Sequence, residues 1–394
     1  MRFSPLVDRL QGEGVAAWDL HYRAAADQRA GRDVIVLSVG DPDFDTPAAI
    51  TEATIAALRA GETHYSDLLG LDELRTAVAR RHQEKSGQPT TIKNVAIMSG
   101  AQCGLFASSM CLLAPGDEVI VPEPMYVTYE ATLQAPGARI VSVPQRPENG
   151  FHLDPKDVAR AITQRTRAIY FATPCNPTGA MMPRATLEQV AALARQHDLW
   201  VVSDEVYATL TFSEQHVSIA GLPGMAERAV TINSLSKSHA MTGWRMGWMV
   251  GPKPLIAHVY NLSMAMLYGL PTFLQRGAVV ALEQDLAEVE VMRATYQRRR
   301  DMVVMRLNQV PGLKCLSPDA GMFMMLDVRG TGLGSGEFST KLYEATGVSV
   351  LDATAFGNSA AGHVRMSFVA DDDSLEEACR RISGFVRTLP GVAA

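Results

Sequence analysis

Ser234-Leu-Ser-Lys-Ser-His-Ala-Met-Thr-Gly-Trp-Arg-Met-Gly-Trp248 sets one lysine, Lys237, among small hydroxyl residues, with Arg245 following eight positions on. The run before it, Ala229-Val-Thr-Ile-Asn, is apolar enough to be a buried strand. A lysine just past such a strand stands at a sheet edge, where α/β enzymes place their ligands. Hydroxyls and a guanidinium are the donors a phosphate needs. An isolated lysine in a polar loop is more often simply exposed, so the reading turns on whether the rest of the chain supplies partners.

Upstream, apolar runs alternate with helical patterns and each run ends in a chemically distinctive turn. Val34-Ile-Val-Leu-Ser-Val runs into Gly40-Asp-Pro-Asp-Phe-Asp-Thr-Pro, where Thr46-Pro47 reads as the cap and first turn of a helix. Gly40 permits close approach of a ligand to its backbone, and a plain tight turn explains it equally well. Tyr65 falls between two helices, where a core role competes with a functional one. Val95-Ala-Ile-Met is a strand, followed by Ser99-Gly-Ala-Gln102 and a helix over 103–113. A strand, a small-residue turn and a helix N-terminus make an anion cradle. Neither a dinucleotide fingerprint nor a Walker lysine is present there. Glu118-Val-Ile-Val ends in Pro122-Glu-Pro-Met-Tyr126, which delivers an aromatic at a strand end, to cover a flat ring or to pack the core. Arg167-Ala-Ile-Tyr-Phe-Ala ends in Pro174-Cys-Asn-Pro-Thr-Gly, fixing Asn176 between prolines. Leu199-Trp-Val-Val-Ser ends in Asp204-Glu-Val-Tyr207. A carboxylate behind that apolar run is costly unless a cation meets it. The alternation from 95 to 237 predicts a mostly parallel sheet with its functional residues along one edge.

Beyond Trp248 the chain turns helical over 254–267, 273–286 and 288–310, and then mixes short strands and helices in a smaller α+β unit. Arg365 lies in the strand 363–368; alternation puts it opposite Val364 and Met366, either facing solvent or clamping a carboxylate. The run Arg298-Arg299-Arg300 reads as a solvated helix face. With 47% hydrophobic and 20% charged residues the chain can bury a large core. A net charge of −6 with a pI near 5.9 argues against nucleic acid as a partner. The five cysteines, Cys103, Cys111, Cys175, Cys315 and Cys379, form no paired motif and suit buried thiols in a reducing compartment. No zinc motif, signal-peptide core or membrane-length apolar run is evident, so the expectation is a cytoplasmic protein with no metal and no membrane association.

These parts converge on pyridoxal 5′-phosphate, which needs a lysine for its aldehyde, a carboxylate for its ring nitrogen, donors for its phenolic oxygen, an aromatic over its face and a phosphate cup. Lys237, Asp204, Asn176 with Tyr207, Tyr126, and the cup of 99–102 with Ser234, Ser236 and Arg245 supply them in turn. At this point the chain resembles, over nearly its whole length, the class I/II pyridoxal-phosphate aminotransferases of fold type I, through the 40–47 turn, Asn176-Pro-Thr-Gly, Asp204-Glu-Val-Tyr207 and the 234–245 segment. The resemblance implies an α/β fold: a large domain over 47–287 with a mostly parallel central sheet flanked by helices, and a smaller α+β domain from 1–46 with 288–394. It implies Lys237 as the catalytic, cofactor-bearing lysine, Asp204 at the ring nitrogen, Asn176 and Tyr207 at the phenolic oxygen, and Tyr126 at the stacking position. Ser234, Ser236, Arg245 and the backbone of Ala101 and Gln102 would hold the phosphate, joined by Tyr65 from a partner subunit in a homodimer. Gly40, Tyr126, Asn176 and Arg365 would bind the substrate, Arg365 as a fork on its carboxylate.

For the amino donor, Gln102 stands where aspartate-specific relatives can carry a lysine, which disfavours an acidic side chain. Ala16-Ala-Trp-Asp and Glu123-Pro-Met-Tyr-Val-Thr-Tyr-Glu, with the lysine segment, are most similar to members that move the amino group of arginine to pyruvate. A cationic donor calls for an anion near the site; Glu13 is the first candidate and Glu130 the second, each also readable as a surface carboxylate. Aspartate or aromatic amino acids as donors are the alternative within the family. A C–S β-lyase on the same fold is the alternative outside it. A non-catalytic regulator ranks last, since no DNA-binding segment precedes Val34.

Overall fold

The computed structural model describes residues 1–10 and 18–390. Its strands are β1 (Ile35–Val36), β2 (Val95–Ser99), β3 (Glu118–Glu123), β4 (Arg139–Pro144), β5 (Thr166–Ala172), β6 (Trp200–Asp204), β7 (Ala229–Ser234), β8 (Met246–Val250), β9 (Lys314–Leu316), β10 (Phe323–Asp327), β11 (Val348–Ser349), β12 (Leu351–Asp352) and β13 (His363–Ser367). Seven of them form one sheet in the order β2-β8-β7-β6-β5-β3-β4. Strands β3 to β7 are parallel neighbours, and β8 runs antiparallel between β7 and β2. The mostly parallel sheet expected from the alternation is therefore present.

Alternate residues of these strands enter cores on opposite faces, as a period of two requires. Ala168, Tyr170, Val202 and Ile232 pack with Leu105 and Leu255 on one face. Ile169, Phe171 and Val201 pack with Leu187 and Val190 on the other. Nearer the β2 edge, Val95, Ile97 and Met246 meet Leu74 and Ala278. Both faces are covered by helices, which is why the strands read as nearly continuous apolar runs.

The C-terminal part builds a smaller antiparallel sheet, β12-β13-β10-β9, while β1 pairs in parallel with β11. The long helix Ala287–Leu307 and the helix Asp372–Arg387 pack against this unit through Met292, Val303, Ile382 and Val386.

One open expectation is decided and two others need correction. All five residues of β13 are buried, so Arg365 faces no solvent. Of the arginine run, only Arg298 is well exposed; Arg299 is buried and donates to Asp43 and Asp372, and Arg300 donates to the Pro318 carbonyl. Thr46 is not a helix cap: the helix is Ala48–Arg59, capped at Pro47, and the Thr46 hydroxyl donates to the Ala240 carbonyl at 2.7 Å. It also accepts from the Trp244 indole at 3.1 Å. Thr46 thereby ties the 40–47 turn to the segment after Lys237, a contact between distant parts of the chain that no local signal announces.

Candidate active site

The parallel strands deliver their C-terminal residues to one edge of the large sheet. Ser99 ends β2, Tyr126 lies just past β3, Asn176 past β5, Asp204 ends β6 and Lys237 follows β7. Arg245 joins them for a topological reason. Because β8 is antiparallel, its beginning lies where its neighbours end, and Met246 pairs with Ser99 while Gly247 pairs with Ser234. One cavity is lined by Gly40, Ala101, Gln102, Tyr126, Asn176, Asp204, Tyr207, Ser234, Ser236, Lys237, Arg245 and Arg365. Of the predicted site residues, all but Tyr65, Glu13 and Glu130 thus line one cavity.

Lys237 is held by a short, well-anchored turn. Ser234 is extended at φ −158° and its hydroxyl accepts from the Ser236 amide at 3.3 Å, starting the one-turn helix Leu235–Ser238. Leu235 is buried in the core on one side, which sends Lys237 to the other. Its Nζ donates to the Gly40 carbonyl at 2.6 Å. Burial lowers its pKa to about 8, with Asp41 opposing and Arg365 and Arg245 assisting. An amine whose pKa lies this close to neutrality gives up its proton readily enough to act as nucleophile or proton carrier. Ala240 and Arg245 both adopt left-handed backbone (φ 51° and 53°), so the connecting loop carries strain of the sort that gathers at functional sites.

Asp204 is the buried carboxylate of the site. Its Oδ2 accepts from the Tyr129 hydroxyl at 2.9 Å and its Oδ1 from the Val206 amide at 3.3 Å. No cation pairs with it among the described residues, and burial raises its pKa to about 6. Such a carboxylate can hold a protonated ring nitrogen. Tyr207 is buried beside it, and burial holds its phenol far above the ordinary value.

At the other end, the helix Gly100–Leu112 starts three residues earlier than the sequence suggests. Ala101 and Gln102 therefore sit in its first turn, where amides lack intrahelical acceptors. Arg245 lies over Gly100, whose φ is +77° and where a Cβ would come within 2.3 Å of Arg245 Nη2. Amides, guanidinium and the Ser234 and Ser236 hydroxyls suit a phosphate. The Gln102 side chain is occupied at both ends: it accepts from Thr128 at 2.7 Å and donates to Thr132 at 2.8 Å.

Arg365, in the middle of β13, closes the cavity from the smaller unit. It donates to Asn176 Oδ1 at 2.9 Å and to the Ser38 carbonyl at 2.6 Å, while its Nε is buried without a partner. The guanidinium lies 4.0 Å from the Phe323 ring centroid, 4.7 Å from Phe356 and 5.9 Å from Trp18. No carboxylate among the described residues neutralises it, and burial lowers its pKa to about 10. Gly40 is required here by space: a Cβ would come within 2.1 Å of Phe323.

Two candidates stand apart. Tyr65 is 84% exposed and packs edge-on against Tyr268, away from this cavity. Glu130 lines a neighbouring groove with Glu123 and Asp352. Glu13 lies outside the described residues. Tyr129, Phe323 and Phe356 also belong to the site and were not among its predicted residues. Tyr129 was the findable one, since it follows Tyr126 by only three positions in the same aromatic run. The described residues contain no group of three metal-ligating side chains and no helix long and apolar enough to cross a membrane.

Comparison with known proteins bears on this geometry. The family model for aminotransferase class I and II matches residues 32–382. The arginine–pyruvate transaminase of Pseudomonas aeruginosa is 55% identical over 393 residues, covering all of both chains. An aspartate aminotransferase of Pyrococcus abyssi is 37% identical over 90% of this chain and 92% of its own. Among solved structures, the aspartate aminotransferase of Thermus thermophilus with maleate superimposes with a TM-score of 0.93 at 36% identity, covering 99% of this chain and 100% of that one.

Proposed function

We propose, because this chain belongs to the class I and II aminotransferase family and so works with pyridoxal 5′-phosphate, that it transfers the α-amino group of L-arginine to pyruvate in a ping-pong cycle. The donor and acceptor rest on the full-length 55% identity to the arginine–pyruvate transaminase, against 37% or less for the aspartate and aromatic enzymes compared with it. The geometry that carries the chemistry is the pairing, in one cavity, of Lys237, whose pKa burial lowers to about 8, with a buried Arg365 that has no anion of its own among the described residues.

The chain's residues fit the cofactor at three points. Asp204 is a buried carboxylate without a cation, the first turn at Ala101 and Gln102 with Arg245 forms a phosphate cradle, and Lys237 stands between them. When bound, the cofactor supplies an electron sink for the bond-breaking at the substrate's Cα. Asp204 would keep the ring nitrogen protonated. Asn176, whose Oδ1 already accepts from Arg365, would offer its amide N–H to the phenolic oxygen beside Tyr207. Ser234, Ser236, Arg245 and the amides of Ala101 and Gln102 would hold the phosphate, and Tyr126 would cover the ring. Arg365 and Gly40 would orient the substrate carboxylate so that Lys237 takes the Cα proton and returns it at C4′.

The proposal extends to assembly and setting. Tyr65, exposed and outside its own chain's cavity, would reach the phosphate of a partner subunit in a homodimer. Residues 47–287 would be the cofactor domain, with 1–46 and 288–394 forming the arm and small domain. The five free cysteines fit a cytoplasmic enzyme. Since Lys237, Arg245 and Arg365 make the cavity basic, a guanidinium donor needs an anion at its mouth, and Glu13 is assigned that part. The deciding experiment is a panel of amino donors with pyruvate, following alanine formed. Arginine should lead aspartate and aromatic donors, and Glu13→Gln should raise the arginine KM. Pyruvate and ammonia released from a cysteine conjugate without any acceptor would point to a β-lyase instead.

A further inference from the structure

Tyr129 and Tyr170 are neighbouring, fully buried tyrosines, 5.3 Å apart between ring centroids. A buried phenol needs a partner, and the two find different ones. Tyr170 donates to the Leu105 carbonyl at 2.9 Å and meets Ser108 at 3.2 Å, contacts that serve the core. Tyr129 instead turns its hydroxyl to Asp204 Oδ2 at 2.9 Å. It lies on the short helix Thr128–Gln134, whose Thr128 and Thr132 hold the amide of Gln102 between them. One helix thus grips the phosphate end of the cavity and the ring-nitrogen end together.

We propose that Tyr129 is the positioning residue for Asp204, its hydroxyl fixing the carboxylate and keeping it ionised to meet the cofactor's ring nitrogen. This rests on the cofactor reading above. The Val206 amide tethers the other oxygen at 3.3 Å, so with Tyr129 the plane of the carboxylate is set. Of the two donors, the phenol has the shorter bond, and it opposes the burial that drives Asp204 toward its neutral form. Burial, and Asp204 itself, hold the Tyr129 phenol protonated, which keeps it a donor throughout the working range. The other titratable groups around Asp204 are Tyr126, Tyr170, Tyr207, Cys175 and Glu205. Burial keeps the phenols and the thiol protonated, and Glu205 is common to every variant compared below.

The test measures the dissociation constant of pyridoxal 5′-phosphate from the cofactor-free protein between pH 5 and 8.5. Tyr129→Phe keeps the ring and removes the donor. It should weaken binding about ten- to a hundredfold at neutral pH, the range for a hydrogen bond to a charged group. The acid-side midpoint of binding should also rise, by about one pH unit. Tyr170→Phe should leave that midpoint where it is, and on an Asp204→Ala background Tyr129→Phe should cost nothing further. Replacing Tyr129 by 3-fluorotyrosine, similar in size and a stronger donor, should move the midpoint down, and it guards against a Phe variant that folds poorly. An unmoved midpoint in both Tyr129 variants, or an equal loss with Asp204 already absent, would overturn the proposal. Failure of the unaltered protein to bind the cofactor would strike the underlying reading instead.

Discussion

Replacing Asp204 by asparagine keeps the side chain's shape and removes its charge, and the effect on the cofactor-free protein has a definite sign with pH. Burial raises the Asp204 carboxyl from 3.8 to about 6. An acid whose folded pKa lies above its unfolded one contributes stability that is complete below about 3.8 and is lost as the pH climbs through about 6. Roughly two pH units at about 1.36 kcal/mol each amount to about 3 kcal/mol. Asparagine has no such dependence. Cofactor-free Asp204→Asn should therefore gain up to about 3 kcal/mol on the parent protein as the pH rises from below 4 to 8, roughly 3–4 °C in relative Tm for a chain of 394 residues. Glu205, raised to about 7, and the histidines His82, His216 and His239, lowered by burial, titrate nearby but cancel to first order between the two proteins. With pyridoxal 5′-phosphate bound the sign should reverse, because Asp204 gains its cation and the asparagine does not. Thermal melts of both proteins from pH 4.5 to 8, with and without cofactor, read all of this. Parallel curves for the two cofactor-free proteins would refute the reasoning.

Arg365→Ala should raise the amino acid's KM and cut kcat/KM by roughly a hundredfold or more, as loss of a buried charge pair does, while leaving cofactor affinity near the parent value; steady-state kinetics beside cofactor titrations separate the two. Gly100→Ala places a Cβ at φ +77° against Arg245. It should cost about 1–2 kcal/mol of stability and weaken pyridoxal 5′-phosphate while sparing unphosphorylated pyridoxal, which binding titrations compare. Arg299→Met strips Asp43 and Asp372 of a shared partner, and because both carboxylates are partly exposed and Asp372 keeps Arg298, it should destabilise the protein by about 1–2 kcal/mol in melts.

The placement of the large sheet's residues was legible where the signal was local. Each candidate of the large sheet stood directly after an apolar run, and parallel strands carry such residues to one edge whatever the loops do. Arg245 needed one fact more, the antiparallel sense of β8, which a short apolar strand does not reveal. The failures share a cause: partners distant in the chain. Thr46 looked like a helix cap and instead binds Ala240 and Trp244, because Pro47 takes the cap position and the helix begins at Ala48. Arg299 looked solvated because its neighbours are charged, whereas Asp43 and Asp372 draw it inward between the rings of Phe44 and Tyr296. Arg365 was ambiguous by alternation, a rule for sheets with one wet face, and β13 has none. Tyr129 gave no sign of itself beyond its spacing from Tyr126, since its importance lies in Asp204, 75 residues away.

The central claim is that Lys237 carries the cofactor and moves the proton. Borohydride treatment of the pyridoxal 5′-phosphate-loaded protein, followed by peptide mass mapping, tests it most directly. The reduced cofactor should be found on Lys237 alone, and Lys237→Ala should bind cofactor without fixing it and lose transamination. Label on another lysine, or parent-like turnover in Lys237→Ala, would contradict the account.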